Sequence, residues 1–366
     1  MEIRAAVVRE KGGIFNIETV ELEDPKYGEV LVKVVAAGVC HTDEHARNGV
    51  YQALPYPAVL GHEGAGIIEK VGEGVTNFKV GDQVVLSYPS CGKCENCLQG
   101  RPTQCENLGA LYFSGCMEDG TTRFYQNGKP LYALFNQGSF ATHCVINERS
   151  LVKIDKNLDL KIMGPLGCGF QTGAGSVLNV LKPEPASSII IFGAGSVGLA
   201  AVMAAKLVNC YPIIAVDVID ARLQTALEVG ATHTVNSART DDLLASLRDI
   251  VGGRGVDYVF DNTAAEACIK TGLLLMHRGS VGANVGGGKS VTLDPWTKYM
   301  TGGKTWCAVT EGNSVSPVFI PRLVKMFELG RFPIDKLITF FPFDQINEAF
   351  EANLTGAAIK PILLMP

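Results

Sequence analysis

The N-terminal part of the chain alternates apolar and polar side chains with a period near two. Residues 29–36, 64–71 and 80–86 show this pattern most clearly. A period of two is typical of strands with one buried face, and the Gly and Asp residues between these segments favour turns. The sequence therefore predicts a β-rich unit at the start of the chain.

The pattern changes between about residues 169 and 310. Short apolar runs at 189–192, 213–216 and 258–260 alternate with helix-like segments, of which 222–229 and 241–251 are the clearest. Strands that alternate with helices indicate βαβ units and a parallel sheet. This middle region is expected to form a doubly wound α/β domain.

After this region the sequence predicts one clear amphipathic helix, 317–329, a second short helix, 344–353, and a final strand, 358–364. We therefore predict an α/β fold of two domains. The first domain comprises residues 1–169 and 313–366 and is β-rich. It is interrupted by a parallel-sheet domain, residues 170–312.

Composition excludes several functional classes. The chain has 32 basic and 37 acidic residues, for a net charge of −5, which argues against a dedicated nucleic-acid binder. Residues 185–205 are uncharged, but Gly193, Gly195 and Gly198 divide this stretch into a strand, a turn and a helix rather than a membrane span. The N-terminus has no apolar stretch of signal-peptide type, and a cytoplasmic location is expected.

A glycine-rich turn joins the first apolar strand of the middle region to a helix. Gly193, Gly195 and Gly198 form a GxGxxG motif, and Asp217 follows at the end of the next strand. These glycines permit a tight turn, close approach of a pyrophosphate and close helix–strand packing. A carboxylate at Asp217 would accept hydrogen bonds from a ribose and repel a 2′-phosphate, so NAD is favoured over NADP.

Four of the eleven cysteines are clustered. Cys91, Cys94, Cys97 and Cys105 lie within 15 residues, and four thiolates close a tetrahedron around a structural zinc ion. An iron–sulfur cluster is the alternative, because Cys-x2-Cys-x2-Cys also occurs in ferredoxins. Cys116, Cys144, Cys210, Cys268 and Cys307 match no ligand position and are expected to be small buried hydrophobic residues. Trp296 and Trp306 are expected in the core or at an interface.

Cys40, His62 and Cys168 are ambiguous by spacing alone. However, the segments GVCHTD, GHEGAG, CGKCENC, PLGCGFQTGAG and GAGSVG occur in this order along the chain. In this respect the sequence resembles the zinc-containing medium-chain alcohol dehydrogenases, over nearly its whole length. The segments LGCGFQTGAGSVLN and FIPRLVKMFELGRFPIDKLI resemble the aryl-alcohol (benzyl alcohol) branch most closely.

The resemblance implies a GroES-like catalytic domain and a Rossmann domain, with two zinc ions per chain. It places the catalytic zinc on Cys40, His62 and Cys168, with one open position for the alcohol. Asp43 would orient the ligating histidine, and Glu63 would lie beside the metal. Hydride transfer from a zinc-bound alkoxide to the nicotinamide is the implied reaction.

The family also implies a proton route. Thr42 matches the hydroxyl that first accepts the alcohol's proton, and His45 matches the histidine that passes it to solvent. The alternative for His45 is a surface histidine in a polar stretch. His41 replaces the family's common arginine near the pyrophosphate, which weakens the expected hold on NAD.

Further positions carry over from the family. The cofactor contacts so implied are Thr172, Val197, Arg222 and Lys360. Asn284 departs from the usual aliphatic residue in the segment 281–288, where the carboxamide would bind. Aromatic residues that would line the substrate pocket are Tyr88, Phe113 and Phe135.

The sequence therefore predicts an NAD-dependent zinc alcohol dehydrogenase that oxidises primary aromatic or allylic alcohols to aldehydes. An aliphatic or terpenoid alcohol dehydrogenase of the same family is one alternative. A non-catalytic NAD-binding zinc scaffold or redox sensor is another. The resemblance also implies a homodimer or homotetramer, with no nucleic-acid or membrane partner.

Overall fold

A computed structural model of the chain describes residues 1–286, 290–294 and 299–366. Gly288 and Trp296 lie outside the described residues. The chain forms two compact units. The first comprises Met1–Cys168, Val315–Leu323 and Ile338–Pro366, and the second comprises Gly169–Ser314 and Val324–Leu337.

The described residues contain eighteen strands. In chain order these are β1 Glu2–Val8, β2 Phe15–Leu22, β3 Glu29–Gly38, β4 Ala58–Val59, β5 Gly64–Val71, β6 Gln83–Leu86, β7 Phe124–Gln126, β8 Lys129–Ala133, β9 His143–Asn147, β10 Leu151–Lys153, β11 Ile189–Phe192, β12 Ile213–Asp217, β13 His233–Asn236, β14 Val256–Asp261, β15 Met276–Asn284, β16 Thr305–Ala308, β17 Ile338–Pro342 and β18 Lys360–Leu364.

The α-helices are joined by short 3₁₀ turns and by one π-helical segment, Ser176–Leu181. They are α1 His41–Arg47, α2 Glu95–Leu98, α3 Leu108–Phe113, α4 Gly169–Gly175, α5 Ser196–Leu207, α6 Asp220–Val229, α7 Leu243–Val251, α8 Glu266–Leu275, α9 Ser316–Glu328 and α10 Ile346–Thr355. None of the helices in the described part of the chain is long and apolar enough to cross a membrane.

The first unit is built from a barrel and a sheet. Strands β1, β2, β7, β8 and β4 close the barrel, and the sheet has the order β10-β6-β5-β3-β18-β17, with β9 also paired to β3. The C-terminal strand β18 runs antiparallel to β3 and places Ile362 opposite Gly38. Because β3 ends just before Cys40 and β5 begins just after His62, this sheet positions both of those residues.

The second unit contains a six-stranded sheet of order β13-β12-β11-β14-β15-β16, in which every pair is parallel. Its central strand β11 is fully buried, as expected for a parallel strand covered on both faces. Ile190, Phe192, Ile214 and Val259 form part of its core. The predicted α/β fold class is confirmed: one unit is β-rich, and the other contains a parallel sheet.

The two compact units and the predicted domains divide the chain in nearly the same places. The prediction assigned all of residues 313–366 to the β-rich domain. In the structure Val324–Leu337 is grouped with the second unit, although the flanking segments belong to the first. The periodicity of residues 317–329 predicted a helix. It gave no sign that the two halves of this helix belong to different units.

Candidate zinc centres and dinucleotide site

One candidate metal site is assembled from three distant segments of the first unit. Cys40 is the N-cap of α1, His62 precedes β5, and Cys168 ends a 3₁₀ turn. One ligand atom from each of these residues and from Glu63 lies within 4.8 Å of all the others. The structure thus brings together the three residues that the family resemblance assigned to the catalytic zinc.

Asp43 fixes the orientation of the His62 ring. Its Oδ1 lies 2.9 Å from His62 Nδ1 and also accepts a hydrogen bond from the Gly61 backbone N–H at 3.0 Å. Its Oδ2 accepts from the Cys40 backbone N–H at 3.3 Å. Both side chains are fully buried. Because Nδ1 is taken by Asp43, Nε2 is the ring nitrogen left for a metal ion.

The donor set suits zinc. His62 Nε2 is buried and has no hydrogen-bond partner. A buried polar atom without a partner destabilises the fold unless a ligand binds it. Two sulfurs and one imidazole nitrogen are ligands that zinc prefers, and three protein ligands leave a fourth position open. Their charges also balance, since two thiolates neutralise one divalent ion.

The electrostatics of this site follow from its burial. Burial lowers the pKa of His62, but the Asp43 carboxylate and the Cys40 thiolate raise it well above its usual value. The Cys40 pKa is lowered well below normal, first by its contact with Cys168 and then by His62. The site therefore favours the thiolate form that a metal requires.

Glu63 is held by a buried lysine. Lys360 Nζ donates to Glu63 Oε2 at 2.8 Å, to Oε1 at 3.1 Å and to the Val39 carbonyl at 3.0 Å. Burial raises the Glu63 pKa to about 7, although Lys360 opposes this shift. The contact of Lys360 with a pyrophosphate stays a prediction; in the structure its ammonium group is bound inside the first unit, to Glu63 and to the Val39 carbonyl. An ion pair with Glu63, which lies 297 positions earlier, was not visible in the sequence.

The second candidate metal site is the cysteine loop. The Sγ atoms of Cys91 and Cys97 are 4.0 Å apart, as are those of Cys94 and Cys105. All four sulfurs lie within 4.8 Å of one another. A tetrahedral zinc with bonds of about 2.3 Å requires sulfurs about 3.8 Å apart, so the loop has the size of a zinc site.

Backbone geometry shapes this loop. Gly92 and Gly100 have φ values of +68° and +76°, in the left-handed region that favours glycine. The Cys94 backbone N–H donates to Cys91 Sγ at 3.4 Å, and the Cys91 N–H donates to Cys105 Sγ at the same distance. Short-range backbone contacts thus preform the site.

Aromatic rings pack directly against the first site. Phe135 lies 4.7 Å from the His62 ring, Tyr112 lies 4.1 Å from Phe135, and Phe113 stacks on Tyr51 at 4.0 Å. Phe113 and Phe135 are 5.9 Å apart, so the four rings are continuous. We call Tyr51, Tyr112, Phe113 and Phe135 the aromatic cluster. Phe113 and Phe135 were predicted from the sequence as pocket residues, and Tyr51 and Tyr112 were not.

The third predicted pocket residue, Tyr88, is buried in the same hydrophobic core of the first unit that contains Tyr112 and Phe135. The missed tyrosines lie in segments with no motif. Tyr51 follows the turn after α1, and Tyr112 lies on α3 beside Phe113. Only the aromatic pair 112–113, at the end of the apolar stretch 108–113, gave a signal for one of them.

The predicted relay residues lie on α1. Thr42 is half-buried, His45 is half-buried and His41 is exposed. The His41 and His45 rings are 6.1 Å apart, and His45 is 6.4 Å from the Tyr51 ring. Burial lowers the pKa of His45 below its usual value, and the neighbouring His41 lowers it further. His45 is therefore more than a freely solvated surface side chain.

The glycine turn of the second unit is shaped for a ligand. A Cβ at Gly198 would lie 1.7 Å from the Gly193 carbonyl oxygen, and Gly193 has a φ of +90°. A Cβ at Gly195, by contrast, would meet no atom within 4 Å, so this residue borders open space. Gly195 caps α5 without a side-chain hydrogen bond, which leaves backbone N–H groups for an anion.

Asp217 is held at the carboxyl end of β12. Its Oδ2 accepts from the Ala194 backbone N–H at 2.6 Å, and its Oδ1 accepts from Val218 and Ile219. The carboxylate thus connects the glycine turn to the loop that precedes α6. This placement fits a group that receives the ribose of a dinucleotide.

Other predicted cofactor residues also lie in the second unit. Thr172 is buried on α4, and its hydroxyl donates to Glu311 Oε2 at 3.3 Å. Val197 lies in the first turn of α5 and Arg222 on α6, both half-buried. Asn284 ends β15, where its Oδ1 accepts from the half-buried Trp306 indole at 2.9 Å. Glu311, which carries a φ of +48°, was not identified from the sequence.

The five remaining cysteines differ in burial. Cys144 and Cys210 are buried, as predicted. Cys116, Cys268 and Cys307 are only partly buried, which corrects the prediction for these three. All eleven cysteines lie in the described residues, and none forms a disulfide.

Family models match both parts of the chain. Residues 26–156 match the alcohol dehydrogenase GroES-like domain, and residues 196–326 match the zinc-binding dehydrogenase domain. These two matches agree with the β-rich unit and the parallel-sheet unit. They also favour zinc over an iron–sulfur cluster in the cysteine loop.

Full-length relatives extend the match. Geraniol dehydrogenase of Castellaniella defragrans is 40% identical over 365 residues, covering 99% of this chain and 97% of the relative. The crystal structure of benzyl alcohol dehydrogenase from Acinetobacter calcoaceticus has a TM-score of 0.93 at 40% identity, with 100% of each chain covered.

A zinc-binding alcohol dehydrogenase domain protein from Burkholderia ambifaria gives a TM-score of 0.95 at 41% identity, covering 100% of this chain and 99% of that one. Membership of the family these relatives share implies zinc and NAD as cofactors and an alcohol as the substrate. It also decides between an enzyme and a non-catalytic scaffold in favour of the enzyme. The chain belongs to the zinc-dependent medium-chain alcohol dehydrogenases.

Proposed function

We propose that this enzyme oxidises primary aromatic and allylic alcohols to aldehydes and transfers the hydride to NAD. The observation that carries the substrate class is the aromatic cluster. Its rings reach from Tyr51 to Phe135, which lies 4.7 Å from the imidazole of His62. Planar π systems prefer offset or edge-to-face contacts with other rings, so such a wall favours flat, unsaturated substrates.

The names of two relatives support this class. Geraniol is an allylic primary alcohol, and benzyl alcohol is an aromatic one; the corresponding dehydrogenases share 40% identity with this chain. Both alcohols carry the hydroxyl on a carbon beside a π bond. A site that accepts either of them recognises the flat π system rather than a particular chain length.

Each residue of the first site has a proposed role. Zinc held by Cys40, His62 and Cys168 would supply Lewis-acid polarisation of the alcohol oxygen. Asp43 orients the His62 ring through its 2.9 Å contact with Nδ1. Thr42 accepts the proton of the alcohol, and His45, whose pKa lies below normal, passes it to solvent.

Glu63 and Lys360 contribute charge beside these ligands. Their ion pair is almost completely buried, so removal of either partner would leave an uncompensated charge. We propose that Lys360 holds the Glu63 carboxylate in a fixed place next to the metal ligands. His41, in turn, offers a single hydrogen bond to the pyrophosphate.

NAD is the proposed cofactor because of Asp217. Its carboxylate is fixed by three backbone N–H groups, and a ribose with free hydroxyls can donate to it. A 2′-phosphate at the same place would meet a like charge. Thr172, Val197 and Arg222 are proposed as further contacts of the cofactor in this unit. A homodimer or homotetramer and a cytoplasmic location remain predictions.

A substrate series tests the proposal. The purified zinc-loaded enzyme is assayed for NADH formation with benzyl alcohol, cinnamyl alcohol, geraniol and cyclohexylmethanol, each with NAD and with NADP. Cyclohexylmethanol is the matched control for benzyl alcohol, because it has the same ring size without π electrons. We expect a KM for benzyl alcohol about tenfold below that for cyclohexylmethanol, which corresponds to about 1.4 kcal/mol of aromatic contact.

Comparison of KM separates ring recognition from reactivity, since a benzylic carbon also alters kcat. Equal KM values for the two alcohols would overturn the aromatic specificity and favour the aliphatic alternative. Equal use of NADP and NAD would overturn the role proposed for Asp217. Turnover of none of the alcohols would overturn the proposed function as a whole.

A further inference from the structure

Glu311 is a buried acidic residue in a strained turn of the second unit. It begins the short turn Glu311–Asn313, and only 7% of its surface is exposed. Its φ is +48°, and Gly312 and Asn313 follow with φ values of +62° and +45°. A left-handed backbone is unfavourable for a residue with a side chain, so it persists only where surrounding contacts impose it, often at functional sites. The contacts that hold Glu311 therefore indicate what this turn does.

The backbone of this turn packs directly on the backbone of α4. A Cβ at Gly312 would lie 2.4 Å from the Gln171 carbonyl oxygen, and a Cβ at Gly175 would lie 2.4 Å from the Gly312 carbonyl oxygen. That carbonyl also accepts a hydrogen bond from the Asn179 side chain at 3.0 Å. Because two glycines allow the main chains to touch, the turn is held in a fixed place beside α4.

One carboxyl oxygen of Glu311 accepts hydrogen bonds from two consecutive residues of α4. Its Oε2 lies 3.3 Å from the Thr172 hydroxyl and 3.4 Å from the Gln171 side-chain nitrogen. The Gln171 amide is itself oriented, because its Oε1 accepts from the Ser314 hydroxyl at 2.9 Å. All four side chains are buried. The orientation of the Thr172 hydroxyl towards Glu311 is therefore supported by a buried network rather than by a single contact.

A threonine inside a helix has two preferred side-chain rotamers. Its Oγ1 can bond to a carbonyl of the preceding turn, so threonine populates two χ1 states where valine has one. For Thr172 these competing acceptors are the Cys168 and Gly169 carbonyls, four and three positions earlier in the chain. The two rotamers place Oγ1 about 120° apart around the Cα–Cβ bond, so a hydrogen bond to Glu311 selects one of them. It thereby directs the Thr172 methyl group to one fixed side.

We propose that Glu311 is a positioning residue of this enzyme, which fixes the Thr172 rotamer so that the Thr172 methyl group contacts the nicotinamide ring of NAD. This inference rests on the proposed function, in which Thr172 contacts the cofactor. Thr172 lies four positions after the proposed zinc ligand Cys168, so the chain keeps their Cα atoms within about 14 Å. Since hydride transfer requires the nicotinamide to approach the alcohol, the nicotinamide is the part of NAD that this segment meets.

A methyl group and a hydroxyl group differ in what they offer to a flat ring. The methyl group makes dispersion contacts with the ring face, whereas a hydroxyl turned towards that face would give up its hydrogen bond. Valine carries methyl groups at both places that the threonine methyl occupies in its two helical rotamers. The Thr172→Val variant would thus present a methyl group without help from Glu311, and this property provides a test of the inference.

Binding of NADH and of ADP-ribose to the purified zinc-loaded enzyme separates the two ends of the cofactor. NADH is titrated by its fluorescence and ADP-ribose by calorimetry. For Glu311→Ala we expect a Kd for NADH about fivefold higher, the effect of one hydrogen bond. The Kd for ADP-ribose, which lacks the nicotinamide, should stay within about twofold of the wild-type value. In Glu311→Ala/Thr172→Val the Kd for NADH should return to within about twofold of the wild type, whereas damage to the fold would persist.

Two further variants test the methyl group while Glu311 is intact. Thr172→Ser keeps the hydroxyl and loses the methyl group, so the Kd for NADH should rise about fourfold. Thr172→Val loses the hydroxyl and keeps the methyl group, so the Kd for NADH should stay within about twofold of the wild type. These two measurements decide the question even if Glu311→Ala does not fold. The reverse order of the two Kd values would show that the hydroxyl contacts the cofactor, and it would overturn the inference.

Glu184→Ala is the matched control. Glu184 is exposed and precedes β11, at the opposite edge of the parallel sheet from the glycine turn, so both Kd values should be unchanged. Zinc content and melting temperature are measured for every variant. An active wild type whose Glu311→Ala variant keeps the wild-type ratio of the two Kd values overturns this inference and leaves the proposed function intact. A loss that persists after Thr172→Val is added does the same. A wild type that binds no NADH and oxidises none of the alcohols overturns both.

Discussion

Two sulfur-rich sites in the same unit are built in opposite ways. The cysteine loop takes four ligands from 15 consecutive positions, 91–105, and preforms them with backbone N–H groups and left-handed glycines. The other site takes Cys40, His62 and Cys168 from distant segments and depends on the sheet to bring them together. The loop supplies four ligands and so fills every coordination position of a tetrahedral zinc ion. The distant segments supply three ligands and leave the fourth position open for a substrate.

The two sites also differ in net charge and in burial. Four thiolates leave a net charge of −2 on a zinc site, and the cysteine loop lies where Cys94 and Cys97 are half-exposed and Arg149 approaches Gly92. The Cys40 site is neutral with zinc, and His62 and Asp43 are fully buried. A neutral buried site can change the charge on a bound alcohol without also paying for a large excess charge in the interior.

The largest expected effect is loss of catalysis without loss of the fold. Cys168→Ala removes one of three ligands that distant elements already hold in place. We expect kcat/KM for benzyl alcohol to fall at least about 1,000-fold, because several kcal/mol of charge stabilisation depend on the metal. The melting temperature should change by only a few degrees. Steady-state kinetics measures kcat/KM, calorimetry measures the melting temperature, and metal analysis measures the zinc content of the variant.

Cys144→Ala is the control for this change. Cys144 is fully buried on β9 and belongs to neither site, so the substitution should cost about 1 kcal/mol of stability and leave kcat/KM unaltered. Near-normal turnover by Cys168→Ala would show that the catalytic ligand set has been assigned to the wrong residues. Equal losses of activity in both variants would point to damage of the core instead.

The cysteine loop should respond in the reverse manner. Cys105→Ala removes a buried ligand from a site that holds its own segment together, so the energy of metal binding is lost from folding. We expect the zinc content to fall from two to one per chain and the melting temperature to fall by at least about 5 °C. The folded fraction should keep its kcat at low temperature, since Cys40, His62 and Cys168 remain.

Metal analysis and thermal unfolding test this contrast on the same sample. A variant that keeps two zinc ions and its wild-type stability would refute the structural role of the loop. If kcat per folded chain fell as far as in Cys168→Ala, the two sites would not be independent, and the comparison between them would no longer hold.

The two sites also differ in how well a sequence reveals them. The cysteine loop is easily predicted as a metal site, because Cys91, Cys94 and Cys97 are close in the chain and local geometry is enough to bring their sulfur atoms together. Gly193, Gly195 and Asp217 are equally visible, since a strand, a turn and a helix are local as well. Cys40, His62 and Cys168 were ambiguous by spacing, and only the resemblance of whole segments grouped them.

What the sequence did not reveal depends on long-range pairing and ring orientation. Lys360 reaches Glu63 because β18 pairs with β3, a contact between the two ends of the chain. Tyr51 meets Phe113 through the packing of a turn on α3, and no periodicity encodes the angle between two rings. Contacts of this kind can be identified only from the three-dimensional structure.

The smallest expected effect sharpens the claim that the cysteine loop is preformed by its backbone. Gly92 has a φ of +68°, and a Cβ there would lie 3.0 Å from Arg149 Cδ, a flexible side chain that is able to move. Gly92→Ala should therefore cost about 1–2 kcal/mol, mainly from the left-handed backbone. This corresponds to a decrease of about 2–8 °C in melting temperature, measured calorimetrically, with kcat unchanged.

Gly109→Ala supplies the matched control, because Gly109 lies in α3 and a Cβ there would meet no atom within 4 Å. Alanine favours a helix interior over glycine by roughly 0.5–1 kcal/mol, so this variant should be as stable as the wild type or more so. Opposite signs for one substitution at two nearby glycines would tie the stability of the loop to its backbone conformation. Equal melting temperatures in the two variants would mean that the metal alone shapes the loop, and the difference from the sheet-assembled site would then lie in ligand number rather than in preorganisation.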